Sequence, residues 1–146
     1  MINWIEVAAV AAAFVTLAAP AARADEPTPD GIRGGTFLTV EAAKAQFDKG
    51  VPFVDARVAA EYAEKHIKGA QSIPYKEKFP RMSKVDATDS FDVGKVPAGP
   101  VVFYCNGSPC WKAFKAASAA IKAGNKQVFW LRDGIPAWIA KGFPTE

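Results

Sequence analysis

From about Gly35 onward, the apolar positions along the chain switch between two periods. In "TVEAAKAQFDKG", Val40, Ala43 and Phe47 recur at helical spacing, so one face of a helix is apolar. Thr39 is the expected N-cap, Glu41 falls in the first turn, and Gly50 supplies the C-cap. "VPFVDAR", Val51 to Arg57, reads as a short strand ending in charge. "AAEYAEKHIKG" reads as a short helix closing at Gly69, and "AQSIPY" as a second short strand. Residues Lys76 to Gly99 are polar and irregular, broken by Pro80, Pro97 and Gly99. There follow a strand "VVFYC", a helix from Cys110 to Ala123 closed by Gly124, a strand from Gln127 to Leu131, and a terminal helix around "IPAWIAKG". Strands separated by helices predict an α/β fold with a parallel sheet. In such sheets ligands bind beyond the carboxyl ends of the strands, and Cys105 falls at one of them.

The first 24 residues follow another pattern. "VAAVAAAFVTLAA", Val7 to Ala19, is uncharged and polar only at Thr16. As a helix it spans roughly 20 Å, short of the roughly 30 Å hydrocarbon core of a bilayer. Ala22-Arg23-Ala24 offers the small-x-small pattern of signal-peptide cleavage, so residues 1–24 are expected to be a signal peptide. The alternative is an uncleaved membrane anchor, because "MINWIE" lacks lysine and arginine and carries Glu6. Either way the domain is expected outside the cytoplasm: periplasmic or otherwise exported, or held at a membrane if the segment is retained. Residues 25–36 read as an extended, proline-broken mature N-terminus, and residues 37–146 as one domain.

Composition narrows the field further. Half of the 146 residues are hydrophobic, and the net charge is +3. Lysines are scattered singly without interleaved aromatics, which leaves no nucleic-acid footprint. The chain has two cysteines, Cys105 and Cys110, both in the hexapeptide "CNGSPC" between a strand and a helix. With a single histidine, this spacing supplies too few ligands for a closed metal site, and no cofactor is called for.

A thiol becomes a nucleophile as the thiolate, and a helix N-terminus favours that form. A loop curling around Cys105 would aim unpaired N–H groups at its sulfur, and the same cradle would hold an anion. Gly107 permits backbone angles that a side chain would forbid, Pro109 suits a helix start, and Lys112 and Lys115 could add positive charge at the rim. Trp111, Phe114, Ala117 and Ile121 follow helical spacing and read as core, with Trp111 nearest the loop.

At this point the sequence resembles a rhodanese-like domain over roughly Phe37 to Pro144. "FVDARVAAEYAEKHIKGAQSIPY" is similar to the family's upstream signature at Asp55, Arg57, Glu61, His66, Ile67, Gly69, Ala70, Ile73 and Pro74. "VVFYC" resembles the strand that delivers the catalytic cysteine, which carries that role to Cys105. "RDGIPAWIAKGFP" resembles the closing signature, with Asp133, Gly134 and Trp138. The fold implied is a five-stranded parallel sheet with helices on both faces. "CNGSPCW" resembles a subgroup with a Cys-Trp pair closing the loop, often exported and associated with quinoprotein-dependent oxidation.

A six-residue loop resembles sulfurtransferases, whereas related phosphatases and arsenate reductases use seven residues ending in arginine, which is absent. The usual loop glycine comes one position later than Gly107, and the loop holds no arginine or lysine, which argues against thiosulfate as the preferred donor. Lys65 stands where glycine usually precedes the histidine. His66 reads as a support for a turn rather than a base. Asp55, Arg57 and Glu61 read as a supporting ion-pair cluster, with Arg57 also a candidate to face substrate.

The expected function is that of an exported sulfurtransferase. Cys105 would take a sulfur atom from a thiosulfate-like or persulfide donor as a cysteine persulfide and pass it to a thiol or protein acceptor. Asn106, Gly107, Ser108, Pro109, Cys110, Trp111 and Arg57 are the candidate substrate-binding residues. The alternatives are a thiol–disulfide or sulfur-relay module acting on a protein partner, with Cys110 resolving Cys105, and a non-catalytic rhodanese-like binding domain.

Overall fold

The computed structural model describes residues 25–146; the expectations for residues 1–24, signal peptide or anchor, lie outside the described residues. Among those described, no helix is long and apolar enough to cross a membrane. Five strands, β1 (Thr36–Leu38), β2 (Phe53–Asp55), β3 (Gln71–Ser72), β4 (Val101–Tyr104) and β5 (Val128–Leu131), form one sheet. Its order is β1-β5-β4-β2-β3, with every neighbouring pair parallel. Four helices, α1 (Val40–Asp48), α2 (Ala59–Glu64), α3 (Lys112–Lys122) and α4 (Gly134–Ala140), complete the expected α/β architecture.

Strand alternation separates two cores. Val54, Val101, Phe103, Val128 and Trp130 face Ala113, Ala116, Ala117 and Ala120 of α3. Phe53, Val102, Tyr104 and Leu131 face Val40 and Ala43 of α1 and Ile135 and Trp138 of α4. β4 lies between β5 and β2 and is buried at all four residues, as its unbroken apolar run requires. Continuing its alternation turns Cys105 to the α3 side, where it joins the core with 2 % exposure.

Several boundaries depart from the sequence reading. β1 is an additional three-residue strand that begins at Thr36, the last residue of the segment read as extended, and it finds its register only against β5. Thr39 caps α1 as expected, its hydroxyl accepting from the Ala42 N–H. α2 stops at Glu64 rather than running on to Gly69. Lys65 is extended because His66 exchanges both backbone hydrogen bonds with Glu146 at the C-terminus. α3 begins at Lys112, two residues after the expected start, so Cys110 belongs to the loop.

Candidate active site

Cys105 leaves the carboxyl end of β4 and is held from below by α4: its carbonyl oxygen accepts the Ile135 N–H at 3.0 Å. Gly134 makes this approach possible. Its φ is +66°, and a Cβ there would collide with the Cys105 carbonyl and the Gly107 amide. The chain then turns through Asn106, Gly107, Ser108 and Pro109. Gly107 has φ +114°, in the region that favours glycine, as its place in the loop predicts.

The Cys110 N–H closes the turn on the Gly107 carbonyl at 3.0 Å. This N–H is therefore withdrawn from the cradle expected around the sulfur. Cys105 and Cys110 are joined as a disulfide, with Cα atoms 6.3 Å apart, inside the range a bridge can span. In this oxidised loop the Cys110 carbonyl oxygen lies 3.2 Å from the Cys105 Sγ.

A cavity of about 430 Å³ opens beside the loop, lined by Asn106, Pro109, Cys110 and Lys112 together with Asp25, Glu61, Glu77 and Arg81. Cys110 is half-buried and borders it, whereas Cys105 lies beneath. Both cations on its walls meet carboxylates, and the third carboxylate meets an amide. Lys112 donates to Glu77 at 2.9 Å, Arg81 lies 3.4 Å from Asp25, and Glu61 accepts the Asn106 side-chain amide at 2.6 Å.

Lys115 is not the rim cation expected of it. It is 3 % exposed and donates to Glu77 at 2.6 Å and to the Phe79 carbonyl at 3.3 Å, tying the long connection to α3.

Two other expected groups, Arg57 and His66, stand apart from the loop. Arg57 is 5 % exposed, and its guanidinium donates to both oxygens of Asp55 and to the Lys65 carbonyl. Burial works against its charge, but the Asp55 partner outweighs it and holds the guanidinium above its ordinary range. Arg57 does not line the cavity. Tyr104 completes this buried cluster by donating to Asp55 at 2.8 Å and accepting the Ile67 N–H at 3.1 Å, and burial raises its phenol far above the usual value. Glu61 separates from the pair to hold Asn106. His66 stacks on Tyr62 at 3.8 Å between ring centres, and its Nδ1 meets the Tyr62 carbonyl at 2.8 Å, so the geometry is that of a support. Trp111 is 4 % exposed and packs edge-on against Phe114, as core spacing predicts.

The sequence reading missed a strap. The segment from Asp25 to Thr28 crosses the loop: the Trp111 indole donates to the Glu26 carbonyl at 2.7 Å, and Thr28 binds the Ser108 carbonyl. Arg132, just past β5, donates its Nε to the Thr28 hydroxyl and its Nη2 to the Thr28 carbonyl. The one usable signal was position: Arg132 follows the apolar run of β5, at the same carboxyl edge as Cys105.

With this geometry in view, the chain matches the family model for the rhodanese-like domain over residues 39–141. Similar solved structures include a rhodanese-like domain from Anabaena sp., 20% identical, covering 83% of this chain and 79% of that one, with a TM-score of 0.55. A protein of unknown function and possible tyrosine phosphatase from Rhodopseudomonas palustris is 25% identical over 76% of this chain and 84% of its own, with a TM-score of 0.56. A thiosulfate sulfurtransferase from Pseudomonas aeruginosa is 21% identical over 78% of this chain but only 20% of its own length, with a TM-score of 0.55. No curated protein matches. The parallel five-stranded sheet, the cysteine at the end of its central strand and the match over residues 39–141 lead to one conclusion: the chain belongs to the rhodanese-like domain family.

Proposed function

We propose that the protein is a sulfurtransferase that carries sulfur as a persulfide on Cys105. The observation that supports this most directly is the placement of Cys105 at the end of β4 in a short loop anchored by Gly134, Ile135 and Thr28 beside an open cavity. Reduction of the disulfide frees the thiol pair. The Cys105 thiolate attacks the outer sulfur of the donor, the bond to the donor remnant breaks, and the remnant leaves with the electron pair. An acceptor thiolate then attacks the outer sulfur of the persulfide and returns Cys105 to the thiolate.

The paired cavity charges favour a persulfide donor over thiosulfate. Lys112 and Arg81 already meet carboxylates, which weakens the positive field that a dianion would meet. The loop also ends in cysteine and tryptophan rather than an arginine that would grip phosphate. Export through cleavage after Ala24 belongs to the same proposal, because a Cys105–Cys110 disulfide persists in an oxidising compartment. N-terminal sequencing of protein from the exporting cell should begin at Asp25; recovery of Met1 in a membrane fraction favours the anchor.

Intact-mass spectrometry of the reduced Cys110→Ser protein, in which no second thiol competes for the sulfur, after exposure to thiosulfate or glutathione persulfide tests the activity. A gain of one sulfur atom that Cys105→Ser abolishes is the expected result, with the persulfide donor the faster. No adduct with either donor leaves a binding module as the better account.

A further inference from the structure

The disulfide lies within the loop that the proposed persulfide would occupy. Cys105 is buried, while its partner Cys110 borders the cavity. An external thiol can therefore reach the outer sulfur of a Cys105 persulfide, but its inner sulfur faces one internal nucleophile, Cys110. Contacts that do not involve either sulfur hold this nucleophile beside Cys105. Ile135 holds the Cys105 carbonyl, the Cys110 N–H is turned onto Gly107, and the Trp111 indole is tied to Glu26, so both ends of the hexapeptide are anchored outside the sulfur pair.

Building on the persulfide reading, we propose that Cys110 discharges the sulfur held on Cys105 as hydrosulfide, closing the Cys105–Cys110 disulfide, and that a dithiol reductant entering at the Cys110 side reopens it. In the first step the Cys110 thiolate attacks the Cys105 Sγ. The bond from that Sγ to the outer sulfur breaks, and the outer sulfur departs with the electron pair and its proton as hydrosulfide. In the second step a thiolate of the dithiol attacks the Cys110 Sγ and the Cys105 thiolate leaves. The second thiol of the reductant then displaces Cys110 and closes the reductant's own disulfide. One persulfide donor and one dithiol become one thiol, one hydrosulfide and one disulfide. The dithiol is oxidised by two electrons and the outer sulfur is reduced by two. Transfer to an external thiol and internal discharge thus compete for the same persulfide, at different sulfur atoms.

The test uses the reduced protein, freed of reductant and given one equivalent of glutathione persulfide, with hydrosulfide trapped by a bimane reagent and the protein followed by mass and peptide mapping. The wild type should release about one hydrosulfide per chain and end bridged at Cys105–Cys110, while Cys110→Ser and Cys110→Ala keep the sulfur on Cys105 and release at least about tenfold less. A wild type that keeps its persulfide as the variants do overturns the discharge step. Variants and wild type that never acquire sulfur overturn the persulfide reading itself, and this inference with it. For the reopening step, the oxidised protein is treated with glutathione and quenched with an alkylating agent. Glutathione mapped to Cys110 with alkyl on Cys105 is the expected product; the reverse pattern overturns entry at the Cys110 side.

Discussion

Thr28 directs two donors at one acceptor: its backbone N–H and its hydroxyl meet the Ser108 carbonyl oxygen at 3.0 and 2.7 Å. Eighty residues separate the two in sequence. The same hydroxyl accepts from Arg132, and Thr28 is 2 % exposed. Thr28→Val removes the hydroxyl at nearly constant volume, leaving the Arg132 Nε without its acceptor, and is expected to cost about 1–3 kcal/mol in urea unfolding. It should also alter the pH profile of Cys105 alkylation in the reduced protein, and Thr28→Ser should restore both. A variant that loses stability but keeps the wild-type alkylation profile makes the strap structural only.

Gly134→Ala is the sharpest probe of the loop floor. The new Cβ needs the space of the Cys105 carbonyl and the Gly107 amide, and the positive φ adds about 1–2 kcal/mol of strain. Displacing the loop should slow persulfide loading by about a hundredfold if the shift reaches 1 Å. Rapid-quench mass spectrometry reads this directly; loading at the wild-type rate removes Gly134 from the positioning role.

His66→Ala should destabilise by about 1–2 kcal/mol, through loss of the contacts with Tyr62 and Glu146, while kcat/KM for sulfur transfer stays within about twofold. Normal urea unfolding with lost turnover reverses the assignment.

The strap should respond to acid. Glu26 is held below the ordinary glutamate range, first by the Ser83 backbone N–H, which donates to its carboxylate at 3.0 Å. With the folded value lowered, its contribution is present above the ordinary carboxylate range and lost as pH falls through the folded value. The hydrogen-exchange protection factor of the Thr28 amide should therefore decline in acid, and Glu26→Gln should flatten that decline. An unchanged decline in the variant assigns the acid response elsewhere.

How much of this was legible depends on the range of each interaction. α1 and β4 were readable because their signals are local: a cap, an apolar stripe and an unbroken apolar run. β1 was not, since three residues cannot establish a period and its register comes from β5. Lys115 looked like a rim cation because Lys112 lies one turn before it. Nothing local announces that Glu77, in an irregular connection, turns it inward. The cysteine pair was visible as a pair, while the anchors that set its geometry, Thr28, Arg132 and the Ile135 amide, come from both ends of the chain.

That the first strand lies beside the last has a bearing on how the thiols first become oxidised. A sheet closed by β1 against β5 is complete only when the whole domain is present, so its long-range pairing is slow to form compared with local contacts. Cys105 and Cys110, five positions apart, can meet an oxidant well before that. In a chain with many cysteines such early oxidation would scramble pairings and require isomerisation. Here the chain contains two, and one intramolecular pairing exists. Premature oxidation of a single chain can therefore produce no wrong bridge, and the late-forming sheet inherits a loop already joined as the finished fold holds it.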